Sequence, residues 1–238
     1  MSIDNTAKIV AITKPFIENI NTAEEFIAYC ARVSNPSNQM NTETSEKLLK
    51  YCIKNKHFSI FEMVTIVMQI DTTRDIARQI LRHRSFSFQE FSQRYADPTE
   101  DLGFVTREAR LQDTKNRQNS IATDDKTLQD TWRVIQDQYI QQAKIEYQWA
   151  IDHGIAKESA RFVLPLATPT RIYMTGSCRS WITYIALREK SGTQKEHMEI
   201  AEAIRCIFTC QFPAVSEALE WTRKDCPECS DAPSITIE

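Results

Sequence analysis

Glycine is scarce and dispersed in this chain: four copies occur among 238 residues, at Gly103, Gly154, Gly176 and Gly192, and no two are close together. That spacing excludes a GxGxxG turn and a GxxxxGK loop, which need neighbouring glycines so that backbone amides can approach a phosphate. No GxSxG nucleophile elbow occurs either. Any nucleotide must therefore be held mainly by side chains, or by amides at other helix ends.

With 42% hydrophobic residues the chain can bury one large core or two small ones, and a single domain over residues 1–238 is the simpler expectation. No apolar run approaches the roughly 20 residues needed to span a bilayer. The amino terminus lacks a basic region followed by an apolar stretch, so a cytoplasmic protein with no membrane partner is expected. A net charge of −3 argues against a nonspecific nucleic-acid binder, although a local basic pocket is compatible with it. Seven cysteines, an odd number, read as reduced thiols rather than a disulfide framework. Cys226 and Cys229 form the only CxxC, with no second pair to complete a zinc ribbon, and Cys206 and Cys210 read as buried helix cysteines; no metal site is expected.

Periodicity predicts alternating helices and strands. Strands are expected over residues 9–13, 64–70 and 171–175, the segment 64–70 (VTIVMQI) being richest in β-branched residues. Helices are expected over 22–32, opened by a Thr22/Glu25 capping box, and over 44–55, 73–81, 127–153, 179–189 and 194–210. Gly154 is placed to end the longest of these, whose stripe of Leu128, Trp132, Ile135, Tyr139, Ala143 and Tyr147 suits a core or a subunit interface. In the helix over 73–81, Arg74, Arg78 and Arg82 form one stripe and Ile76, Ala77, Ile80 and Leu81 the opposite one; Arg74 reads as part of a solvated face. Residues 97–126 are polar and read as a long excursion, an ordinary insertion or a lid.

The densest concentration of chemistry is residues 82–94, RHRSFSFQEFSQR. Arg82, His83 and Arg84 are consecutive and cannot share one face, so the backbone is expected to leave regular structure there. Beyond them Glu90, Ser92 and Arg94 have period two and would line one wall if extended, with Phe91 on the other side. Arginine forks match phosphate oxygens bidentately, so the mixture suits a phosphate-bearing aromatic ligand. A solvated basic turn leading into a strand with core Phe86, Phe88 and Phe91 fits the same residues. So does a single-stranded nucleic-acid binder that stacks bases on those aromatics.

Arg82-His83-Arg84, seven residues, then Ser92 and Arg94 resembles the signature of the flavin-dependent thymidylate synthases at every fixed position. Three further segments resemble the family in order: residues 57–62 (HFSIFE), with Ile60 where Pro is usual; 158–166 (ESARFVLPL); and 179–188 (RSWITYIALR). Ser177 and Thr183 depart from the family, which often has Asn at the first position and Asn or His at the second.

The resemblance implies an α/β (α+β) fold, with a central, mostly antiparallel sheet flanked by helices and no Rossmann domain. It implies methylation of dUMP at C5 with methylenetetrahydrofolate as carbon donor, FAD as hydride carrier and NADPH as its reductant. It also implies a homotetramer with active sites shared between subunits. The family positions matching FAD contacts are His57, Ser59, Arg82, His83, Arg84, Glu90, Ser177, Cys178, Arg179 and Thr183. Those matching dUMP contacts are Gln79, Ile80, Leu81, Arg82, Glu90, Phe91, Ser92, Gln93, Arg94, Arg161 and Arg188, with Arg94 reaching a neighbour's site. Arg188 is the expected catalytic group: a guanidinium beside uracil N3 and its carbonyl would stabilise charge spreading through the ring, and its pKa is too high for a general base. A relative that binds the nucleotide without catalysis would share most of these residues.

Overall fold

In the computed structural model, which describes residues 6–101 and 103–221, the main sheet is centred on the two longest strands. The strands are β1 (Thr6–Ile12), β2 (Thr65–Thr73), β3 (Ser87–Glu90), β4 (Arg110–Gln112), β5 (Ser120–Ala122) and β6 (Pro169–Ser177). The helices are α1 (Ala23–Ala31), α2 (Ser45–Lys54), α3 (Arg74–Ile80), α4 (Pro98–Asp101), α5 (Lys126–Asp152), α6 (Lys157–Ala160), α7 (Cys178–Arg188), α8 (Lys195–Gln211) and α9 (Pro213–Ala218). The strand order is β1-β2-β6-β3, antiparallel at each pairing, and β4 and β5 form a separate hairpin. This is the antiparallel, helix-flanked sheet expected from the family resemblance.

β2 and β6 pair along their whole length, from Thr65 opposite Ser177 to Thr73 opposite Pro169. Directly opposed residues share a face, so Met68 with Met174 and Ile70 with Ile172 form one apolar surface. All four are wholly buried, under Trp181 and Ile185 of α7 and Ile200, Ile204 and Phe208 of α8. The opposite face is polar: Arg171 donates to Asp71 at 2.6 Å, and Tyr173 stands partly exposed beside them.

Local signals account for the helix ends. Thr22 and Glu25 make the expected capping box, Glu25 N–H donating to Thr22 Oγ1 at 3.1 Å and Thr22 N–H to Glu25 Oε2 at 2.9 Å. Asp125 caps α5, and Gly154 follows its end with a φ of 77°, a left-handed angle that favours glycine. The short helix α9 has no expected counterpart. Pro213 starts it and Glu24 of α1 accepts from Val215 N–H at 2.8 Å, a cap supplied from 191 positions away.

The polar excursion is built and tethered. It contains α4 and the β4–β5 hairpin, and two glutamines one heptad apart on α5 grip its backbone. Gln136 accepts from Arg107 N–H at 2.9 Å and donates to Arg107 O at 2.8 Å; Gln129 does the same for Ala109 at 2.8 and 2.9 Å. Arg107 also forks onto Asp75 and onto Thr73 Oγ1.

The cysteine expectation needs correction. Cys30, Cys52 and Cys178 are free, but Cys206 and Cys210 are each disulfide-bonded, because an odd total says nothing about which sulfurs approach one another. Cys226 and Cys229 lie outside the described residues. Among the described residues no helix is long and apolar enough to cross a membrane, and no group of His, Cys, Asp and Glu is arranged to hold a metal ion.

Candidate active site

The chain leaves α3 as expected. Arg82 and His83 N–H groups still bond back to Gln79 and Ile80 carbonyls, and the turn over residues 81–86 then aims its side chains apart. Arg82 and Arg84 point outward and His83 is half-buried. Phe86 anchors the loop, its ring 4.7 Å from that of Trp181 and directly over Gly176. Helix α7 secures the loop twice more: Ser180 Oγ donates to Ser85 O at 3.2 Å, and Arg188 Nε donates to His83 Nε2 at 2.9 Å.

The Arg188 contact sets the electrostatics. A nitrogen that accepts from a guanidinium carries no proton, so His83 is neutral with its proton on Nδ1. Burial, then the nearby Arg188 charge, push its pKa down to about 4. Burial raises the Tyr184 hydroxyl pKa, and the Tyr184 ring meets His83 edge-on at 4.8 Å. Among the described residues Arg82 and Arg84 make no ion pair, and the terminal nitrogens of Arg188 make no hydrogen bond.

Glu90 lies at the far end of β3. Its Oε1 accepts from Arg74 NH1 and from Thr170 Oγ1, each at 3.0 Å. Arg74 therefore does not belong to a solvated face: it turns inward to neutralise a half-buried carboxylate. The period-two wall also stops at Glu90. Phe91 N–H still reaches Arg171 O, but Tyr95 and Ala96 N–H both bond to Ser92 O, which curls Ser92, Gln93 and Arg94 into a turn. Arg94 pairs with Glu158 at 3.2 Å, while Arg161 donates to the Glu158 carbonyl at 3.3 Å. These two arginines thus form a second cationic group beyond the far end of β3, whose four residues extend about 10 Å at a strand rise of about 3.3 Å per residue.

The remaining expected positions divide by exposure. His57 and Ser59 are exposed, His57 with its ring edge-on to Tyr51 at 5.9 Å, and the turn of helix they open is tied to α7 by Glu62–Arg179 at 3.2 Å. Ser177 caps α7 through Ser180 N–H, and Thr183 Oγ1 donates back to Arg179 O, so both hydroxyls are engaged within α7. Cys178 and Ile80 are wholly buried and Gln93 nearly so, while Leu81 and Phe91 are half-buried. The Cys178 thiol faces the core, where burial raises its pKa, and its N–H donates to Val64 O. Tyr184, Gln194, Glu196 and His197 also adjoin the site without having been expected there. Clustered polar residues at the start of α8 look like any solvated helix N-terminus.

Residues 16–214 match the family model described as thymidylate synthase complementing protein. The chain is 52% identical over 216 residues to a probable flavin-dependent thymidylate synthase of Paramecium bursaria Chlorella virus 1, spanning 91% of this chain and 99% of that protein. It belongs to the flavin-dependent thymidylate synthase family. A second member, from Synechocystis, is 51% identical over 218 residues, covering 90% of this chain and 99% of the other. Among solved structures, a UMP/dUMP methylase PolB from Streptomyces cacaoi bound with 5-Br dUMP superposes with a TM-score of 0.77 at 24% identity, over 92% of this chain and 96% of that one. That likeness shows the fold, which the flavin-dependent thymidylate synthase family thus shares with the methylase.

Proposed function

We propose that this chain converts dUMP to dTMP by reductive methylation, taking the carbon from methylenetetrahydrofolate. The observation that carries the chemical step is Arg188. Its Nε is taken by a neutral imidazole, which orients the fork while leaving its full charge and terminal nitrogens for a ligand. Set against uracil N3 and the adjoining carbonyl, that charge stabilises negative charge spreading through the ring and makes C5 a better nucleophile. A protonated His83 would repel the guanidinium and withdraw the acceptor, so its low pKa keeps the pair intact at neutral pH.

The chain also fits FAD, which when bound supplies the hydride that NADPH delivers to it. Among the described residues Arg82 and Arg84 have no carboxylate partner; held on a pinned loop, they suit a pyrophosphate where no glycine-rich turn exists. With the Ser177 and Thr183 hydroxyls engaged inside α7, flavin contacts fall to Arg82, Arg84, Arg179, His57 and Ser59. Gln79, Glu90, Ser92, Arg94 and Arg161 are assigned to the nucleotide. Cys178 and Ile80 contribute through backbone and packing, their side chains lying in the core.

The working unit is one domain, an assignment supported by the continuous apolar core that joins the main sheet to α1, α2, α7, α8 and α9. It acts as a homotetramer with shared sites, in the cytoplasm. The separation of Arg94 and Arg161 from the Arg82–Arg84 loop along β3 supports sharing.

The test is release of hydrogen label from C5 of labelled dUMP, with FAD, NADPH and methylenetetrahydrofolate supplied. Arg188→Ala is expected to keep flavin and lose about 100-fold or more in turnover, the scale of removing one preorganised charge-stabilising donor. Turnover unchanged in the variant rejects the role of Arg188; no release by folded, flavin-loaded native protein rejects the activity.

A further inference from the structure

We infer that His197 is a positioning residue for the nucleotide, acting by fixing which way round the Gln79 carboxamide sits. This rests on the reading of Gln79 as a dUMP contact.

His197 has no solvent exposure, lies among the apolar residues of α8, and is absent from the family positions matched above. Its Nε2 is 2.9 Å from Tyr184 Oη and its Nδ1 is 3.3 Å from Gln79 Oε1. From there a hydrogen-bonded line runs to a carboxylate: Gln79 Nε2 donates to Gln194 Oε1 at 2.7 Å, and Gln194 Nε2 donates to Glu196 Oε2 at 2.9 Å. Glu196 is itself nearly buried and held by Arg110 at 2.7 Å.

The end of this line determines every orientation in it. An ionised carboxylate only accepts, so Gln194 must turn its nitrogen to Glu196 and its oxygen to Gln79. Gln79 must then donate to Gln194 and turn its own oxygen to His197. His197 must donate from Nδ1, which leaves Nε2 bare to accept from the Tyr184 hydroxyl. Burial, then the nearby Arg188 charge, push the His197 pKa down to about 3, in keeping with that neutral form. Gln79, half-exposed, is thus left with one free N–H and one free lone pair in fixed places to meet a nucleotide.

Tyr184 joins this line to the chemical centre. Its ring backs His83, which holds Arg188, while its hydroxyl holds His197. One buried aromatic therefore supports both the charge-stabilising fork and the nucleotide-facing amide.

Calorimetric titration of dUMP into flavin-loaded protein tests the proposal directly, without turnover. His197→Leu is expected to weaken dUMP about tenfold while flavin content stays native, the size of one lost amide hydrogen bond. An Asn amide nitrogen occupies the place of Nδ1, so His197→Asn recovers binding to within about threefold of native. A Gln amide reaches the place of Nε2 and faces Tyr184 instead, so His197→Gln behaves like His197→Leu while keeping a polar group in the core should Leu prevent folding. Equal affinities in His197→Asn and His197→Gln overturn the proposal. Gln79→Ala separates it from the reading beneath it. Native affinity in that variant overturns both. Weakened binding there, with native affinity in His197→Leu and His197→Gln, overturns the positioning role alone.

Discussion

A Cβ on residue 176 would lie 2.4 Å from Phe86 Cδ1, closer than atoms in a folded core approach. Gly176 is thus the floor on which the arginine loop rests, and its φ is not the reason for it. Gly176→Ala is expected to destabilise the protein by about 1–3 kcal/mol through overpacking, read as a lower midpoint in urea unfolding, since Phe86 is wedged against Trp181 and cannot retreat. An unchanged midpoint would mean that the loop yields freely. At this scale the sequence was most legible where residues act as neighbours: the loop's exit from α3 follows from three consecutive polar residues that no single face can hold. His197 was illegible because its partners stand 13 and 118 positions away. A lone histidine on an apolar stripe carries no mark of the amide it orients.

Among the elements, the excursion is the one whose character changed most between sequence and structure. Low hydrophobicity marked it as a long polar insertion, and that remains true of its composition. Its placement depends instead on side chains elsewhere: Gln129 and Gln136 substitute for a neighbouring strand, and Arg107 bridges to the start of α3. Burial raises the Asp75 carboxyl, but the hydrogen bonds from Arg107 and Thr73 outweigh it and hold the group below its usual pKa. Arg107→Ala leaves that carboxylate without its cation, so a loss of about 1–3 kcal/mol is expected in chemical denaturation, with faster protease cleavage within residues 103–125. Native cleavage rates would show that the glutamines alone suffice. The turn after β3 teaches the same lesson, since alternation predicted an extended wall through Arg94 while hydrogen bonds to Ser92 O curl the chain instead.

For the whole molecule, the first half of α5 leaves Leu128, Trp132, Ile135 and Tyr139 between 40% and 60% exposed, whereas Ala143 and Tyr147 of the same stripe are buried. So continuous an apolar face suits a second copy of the chain, as the proposed homotetramer requires. Light scattering is expected to give the mass of four chains. Trp132→Glu combined with Tyr139→Glu should lower that mass and abolish turnover together, and a smaller species with native turnover would reject shared sites. The sequence by itself determined the types of the longer elements, the Thr22 and Gly154 caps, the absence of a glycine-built phosphate loop and the family, because periodicity, capping and ordered motifs are written in residues close together along the chain. Only the tertiary structure decided which charges and amides meet: Arg74 with Glu90 across 16 positions, Arg107 with Asp75 across 32, Gln79 with His197 across 118. The choice of a polar partner is made by packing, which brings together groups whose sequence spacing carries no period.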